Sequence, residues 1–226
     1  MILMKNNHRV HVIIGHYGSG KTEFALNYAF KKAEKQDNIV LADMDIVNPY
    51  FRSREKKVDL EEKGIRLVSS SSGYSTADVP ALSPEIYGIL QNEEYEVILD
   101  VGGDPNGARV LGRFYEYFQD GNYDMWMVVN ANRPNTQEVK EVIHYMDRIQ
   151  DNSRIPITGL INNTHMIRET SREDIIRGNN LVEKVSEETG LPIVYTSVIK
   201  EVAEDLPKDI KGEIFPISLK MRPYWL

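Results

Sequence analysis

The chain has 226 residues, 41% of them hydrophobic, a formal net charge of −7 and no cysteine. The acidic balance argues against a protein that coats nucleic acid, which needs a basic face, and the lack of cysteine excludes disulfides, thiolate metal sites and cysteine-held iron–sulfur clusters. No apolar stretch approaches a membrane span, and Met1-Ile2-Leu3-Met4 is too short for a signal-peptide core, so a cytoplasmic protein without a membrane anchor is expected.

The first apolar run, near residues 10–14, reads as a buried strand, and Thr22 to Lys35 carries Phe24, Ala25, Tyr28, Ala29 and Ala33 at helical spacing. Between them lies GHYGSGKT, a Gly-x-x-x-x-Gly-Lys-Thr phosphate loop over residues 15–22. Gly15, Gly18 and Gly20 let backbone N–H groups converge on phosphate oxygens, with His16, Tyr17 and Ser19 completing the cradle and the helix presenting its positive end. Lys21 is expected to reach the β- and γ-phosphates and Thr22 to ligate Mg²⁺. Four fixed positions of this kind arise by chance in roughly one chain of this length in a hundred.

A second strand near 39–42 runs into Asp43-Met44-Asp45, which places two carboxylates at a strand's carboxyl end, where open α/β sheets do their chemistry. Their expected work is to orient an attacking water and to help hold hydrated Mg²⁺. Arg52 and Arg54 follow as possible sources of transition-state charge, or as a solvated loop face. A third strand is expected near 66–68, a loop over Ser69 to Ser72, and a helix start at Ser83-Pro84. The fourth strand, near 96–99, ends in Asp100-Val101-Gly102-Gly103, which fits a metal-supporting aspartate and a glycine that senses the γ-phosphate through its N–H. Valine after Asp100 argues against motor and transporter ATPases, whose catalytic base sits there.

The fifth strand, near 125–129, leads to Asn130-Ala131-Asn132-Arg133-Pro134 at the site's edge. A helix over 136–150 follows, with Asn135 and Glu138 resembling a capping box. The sixth strand, near 157–161, delivers Asn162, whose amide can read a purine edge; guanine readers place an aspartate three residues later, and here that residue is His165, which favours adenine. Another helix is expected to start at Thr170-Ser171-Arg172-Glu173, and a seventh strand lies near 193–196. Phe215, Met221, Tyr224 and Trp225 are expected to pack on the core. His8, His11, His144 and His165 lack metal-ligand spacing. Strands alternating with helices predict a three-layer α/β sandwich over residues 1–226, a single domain with a mostly parallel sheet of about seven strands.

GHYGSGKT, ADMDIVNP, DVGG and GLINN, in that order, resemble the MinD/ParA branch of the signal-recognition-like P-loop NTPases, the CobQ/CobB/MinD/ParA nucleotide-binding family. The resemblance covers nearly the whole chain. It implies an ATPase whose ATP-bound form pairs face to face and whose hydrolysis switches a protein partner. Lys21 and Thr22 would hold phosphate and Mg²⁺, Asp45 would position water, Asp100 would support the metal and Asn162 would contact adenine. One departure is His16, where that branch usually carries a lysine that reaches the partner's nucleotide; His16, Arg52 or Arg54 are the candidates for that contact in an ATP-dependent homodimer. Two other readings stay open: a small-molecule kinase or ligase resembling dethiobiotin synthetase, and a metallochaperone-like GTPase, against which stand the missing cysteines and aspartate.

Overall fold

A computed structural model describes residues 8–45, 56–69 and 83–221, apart from the side chains of residues 105 and 106. Arg52, Arg54, Ser70 to Ser72, Tyr224 and Trp225 lie outside the described residues. The strands are β1 (Val10–Gly15), β2 (Ile39–Asp43), β3 (Arg66–Ser69), β4 (Glu96–Asp100), β5 (Asp124–Val129), β6 (Gly159–Asn162), β7 (Ile193–Ile199) and β8 (Glu213–Ile217). The helices are α1 (Lys21–Ala33), α2 (Lys57–Glu61), α3 (Glu85–Gln91), α4 (Pro105–Ala108), α5 (Val139–Ser153), α6 (Arg172–Thr189) and α7 (Lys200–Ala203), with a 3₁₀ segment over Arg109–Phe118.

All eight strands form one parallel sheet in the order β3-β2-β4-β1-β5-β6-β7-β8. The chain builds outward from β1 to β3, returns to insert β4 beside β1, then builds the other half. This reversal brings the carboxyl ends of β1, β2 and β4 together. Alternate residues supply two cores. Val10, Val12 and Ile14 of β1 join Val142, Met146 and Ile149 of α5 on one face, while Ile13 joins Phe24, Ala25 and Tyr28 of α1 on the other. Among the described residues, no helix is long and apolar enough to cross a membrane.

Two local expectations change. The sheet has eight strands rather than seven: β8 escapes pattern reading because it holds Pro216, which a strand at a sheet edge tolerates because one side makes no ladder bonds. The α5 capping box is formed by Glu138 and Glu141, and Asn135 instead adopts a left-handed turn conformation, φ 65°. The α3 start uses the Ser83 hydroxyl, which accepts from the Glu85 N–H at 3.2 Å. The α6 start is as expected in position, with Ser171 accepting from the Asp174 N–H. Phe215 and Met221 are buried.

Candidate functional site

The loop after β1 turns through two left-handed glycines, Gly18 at φ 76° and Gly20 at φ 83°, and Gly20 is also the N-cap of α1. Every main-chain carbonyl from His16 to Gly20 has a protein partner. The Ser19 N–H donates to His16 O at 3.0 Å and the Phe24 N–H to Gly20 O at 2.9 Å. The His16 Nδ1 meets Tyr17 O at 2.9 Å, Arg133 Nε donates to Gly18 O at 3.1 Å, and Asn163 Nδ2 donates to Ser19 O at 2.7 Å. Among the described residues, Ser19 is the one member of this stretch whose N–H donates to a protein carbonyl. With the carbonyls occupied, the remaining amides and the α1 N-terminus make a concavity suited to an anion.

Parallel pairing of β2 with β4 sets Asp43 beside Asp100, and β1 sets Ile13 on Asp100's other side. The Met44 N–H donates to Asp100 O, which continues the pairing, and the Asp45 N–H donates to the Asp43 carboxylate at 3.1 Å. Asp100 is buried, and one of its oxygens, Oδ1, has no hydrogen-bond partner among the described residues. Burial, with the charges of Asp43 and Asp45, pushes its carboxyl up to about 7 against the opposing pull of Lys21 and the Thr22 hydroxyl. A buried, partnerless carboxylate oxygen beside a hydroxyl and a second carboxylate is chemistry that fits Mg²⁺. Among the described residues no three His, Asp or Glu side chains are grouped to hold a metal by themselves.

Gly103 lies against the loop: a Cβ built on it would stand 3.0 Å from Gly15 O and Tyr17 N and 3.1 Å from Lys21 Nζ. Its glycine is therefore a matter of close approach, not of backbone conformation. A Cβ on the neighbouring Gly102 would meet the Asp45 carboxylate at 3.2 Å. The four sequence elements, residues 15–22, 43–45, 100–103 and 162–165, thus converge at one end of the sheet.

Asn162 departs from expectation. It is fully buried; its amide donates to Ile175 O at 3.2 Å, and its carbonyl accepts from the Thr164 N–H and hydroxyl at 3.2 and 2.9 Å. Fully buried and held by α6 and Thr164, Asn162 builds the frame of the site and does not line the cavity. The residues that line the cavity here are Asn163, Thr164 and His165. This cavity has a volume of 530 Å³ and extends from Gly18, Lys21 and Thr22 past Asp45 and Arg133 to Ser197, Val198, Ile217 and Met221. Its far end is apolar apart from the Ser197 hydroxyl, which is buried without a hydrogen-bond partner among the described residues. The C-terminal stretch forms one wall because α1 pins it: Glu23 accepts from the Lys220 and Met221 N–H groups, and Asn27 exchanges hydrogen bonds with Ser218.

Tyr145 carries no motif signal, yet its hydroxyl donates to Gly103 O. Arg133 was legible only as part of a stretch at the site's edge. Nothing in local sequence indicates that its guanidinium reaches back to Gly18.

A parallel sheet with a strand, a glycine loop closing on a helix, and paired aspartates at adjacent strand ends define the P-loop NTPase architecture. No protein-family model matches the sequence, and no characterised protein matches it in sequence. Solved structures do match. Cell division protein FtsY from Thermotoga maritima aligns with a TM-score of 0.56 and 19% identity over 84% of this chain and 61% of that chain. Chloroplast FtsY from Physcomitrella patens gives 0.55 and 17% over 81% and 56%. Signal recognition particle receptor FtsY from Elizabethkingia anophelis, solved in complex with GDP, gives 0.54 and 19% over 84% and 57%. The chain spans about three fifths of the length of these proteins. At such identities the likeness establishes the fold, and it does not select a branch within it.

Proposed function

We propose that the chain is an ATP-binding and ATP-hydrolysing switch of the MinD/ParA type that acts on a protein partner in the cytoplasm. The observation that carries the reading is the phosphate loop itself, whose carbonyls from His16 to Gly20 are all engaged by protein donors beside Lys21 and the Asp43–Asp100 pair. Loop amides and the α1 N-terminus hold the phosphates, and Lys21 bears on the β- and γ-phosphates. Thr22, Asp43 and Asp100 would hold Mg²⁺, which when bound neutralises charge on the phosphate oxygens. Asp45 faces the cavity and orients the water for attack on the γ-phosphate. The Gly103 N–H senses that phosphate, and its loss after hydrolysis releases the loop.

The base belongs in the apolar end of the cavity near His165 and Ser197. Adenine is assigned because His165 stands where guanine readers place an aspartate. The GDP-bound FtsY makes guanine the alternative to exclude, and competition between ATP and GTP decides it. ATP-dependent face-to-face pairing of two copies belongs to the same reading, with His16, Arg52 or Arg54 supplying the contact across the pair.

Single-turnover hydrolysis of ATP by wild type and Asp45→Ala tests the assignment. The variant is expected to bind ATP with near-normal affinity and to hydrolyse it at least about tenfold more slowly, because a water-orienting group acts in the transition state. Hydrolysis at the wild-type rate would return Asp45 to a turn-forming role.

A further inference from the structure

Gly103 is held from two sides. Toward the loop it abuts Gly15 O, Tyr17 N and Lys21 Nζ. On the other side its carbonyl accepts the Tyr145 hydroxyl, and among the described residues no other side chain hydrogen-bonds Gly102 or Gly103. The flanks of this turn are anchored independently: the Val101 N–H donates to Ile13 O at 3.1 Å, and Asp104 caps α4 by accepting from the Gly107 N–H at 2.6 Å.

Tyr145 is itself immobilised. Its ring is buried on α5 between Val142 and Ile149, two fully buried residues of the core. It packs edge-on against the His16 ring, with centroids 5.1 Å apart and planes at 64°. Burial and the Asp104 carboxylate raise its phenol, so the hydroxyl stays protonated and donates. One rigid side chain therefore touches both the phosphate loop, at His16, and the turn that carries Gly103.

We propose that Tyr145 is a positioning residue for γ-phosphate recognition: its hydroxyl anchors the Gly103 carbonyl and so restricts the backbone of this residue, whose own N–H, on the preceding peptide, stands ready for the terminal phosphate. The inference rests on the nucleotide-switch reading above and deepens it. On the reading above it is the γ-phosphate that meets this turn, so Tyr145 contributes to discrimination between triphosphate and diphosphate, not to nucleotide affinity as such. His16 shares the arrangement, its ring bracing the Tyr145 ring from the loop side.

The test is calorimetric titration of wild type and Tyr145→Phe with ADP and with a nonhydrolysable ATP analogue, both with Mg²⁺, alongside steady-state hydrolysis and thermal melting. Phenylalanine keeps the ring packing and removes only the hydroxyl. Expected are an ADP affinity within about twofold of wild type and a three- to tenfold weaker analogue affinity, about the worth of one neutral hydrogen bond, with a matching fall in kcat/KM. Unchanged discrimination in Tyr145→Phe would overturn the proposal and leave the switch reading standing. Equal losses for both nucleotides, together with a lowered melting temperature, would overturn it in favour of a purely structural role. A wild type that binds neither nucleotide would overturn the switch reading and this proposal with it.

Discussion

Five consecutive carbonyls of the phosphate loop are held by five different donors, and the Asn163 amide is the most buried of the side chains among them. Asn163→Ala leaves Ser19 O in a buried site without its partner, a loss of about 1–3 kcal/mol of stability. The same change frees the loop, so ATP affinity should fall as well; chemical denaturation and titration of one variant read both, and an unaltered denaturation midpoint would remove Asn163 from this role. At this scale the sequence was most informative where one residue type has one job. Glycines at left-handed or crowded positions, a lysine after them and aspartates at strand ends were all legible. Asn162 and Asn163 were not separable, because their partners lie elsewhere in the chain, Ile175 of α6 for the first and Ser19 of the phosphate loop for the second. On α6, Gly178 lets the helix pack so closely that a Cβ would lie 1.9 Å from the Thr164 hydroxyl oxygen. Tyr145 and Arg133 were illegible as site residues for the same reason: their partners lie 42 and 115 positions away in the chain.

Elements were legible in kind and less so at their edges. Seven apolar runs marked seven strands and missed β8, whose Pro216 masks the pattern. Strand order, which sets Asp43 against Asp100, was not available from any local signal. The opposite end of the sheet carries a charged group of its own. There β4 begins at Glu96, whose carboxylate meets the His11 imidazole at 2.9 Å and also binds Lys32 and Gln36. Burial alone would raise Glu96, but these partners outweigh it and hold the group down at about 2. A carboxyl depressed on folding stabilises the folded state above its ordinary range, near 4.5, and that contribution is lost as pH falls toward 2. Urea midpoints should therefore decline from about pH 5 downward, and Glu96→Gln should flatten that decline while lowering stability at neutral pH. A variant with the wild-type slope between pH 5 and pH 2 would show that this cluster does not couple β1, β4 and α1.

For the whole molecule, the fold class followed from alternation of strands and helices, and the eight-stranded parallel sheet agrees with it. The proposed pairing of two copies is a property of this scale. Tyr17 is 64% exposed and Met166 49% exposed, and Tyr17 lies at the mouth of the cavity, where a second copy would cover the nucleotide. Sedimentation with ATP and Mg²⁺ should show a dimer that ADP does not support, more persistently in Asp45→Ala, where ATP survives. A monomer under both conditions would remove the homodimer and leave a switch that closes on a different protein.

The central claim is that residues 15–22 hold a nucleotide triphosphate, and titration calorimetry of wild type and Lys21→Ala with Mg²⁺ and either ATP or GTP addresses it most directly. Charge-assisted contacts to phosphate are worth about 1.5–3 kcal/mol each, so removing the lysine should weaken ATP binding by roughly tenfold to a hundredfold, with ATP preferred over GTP by the wild type. An equal dissociation constant for ATP in wild type and Lys21→Ala, or no binding of either nucleotide by the wild type, would contradict the account.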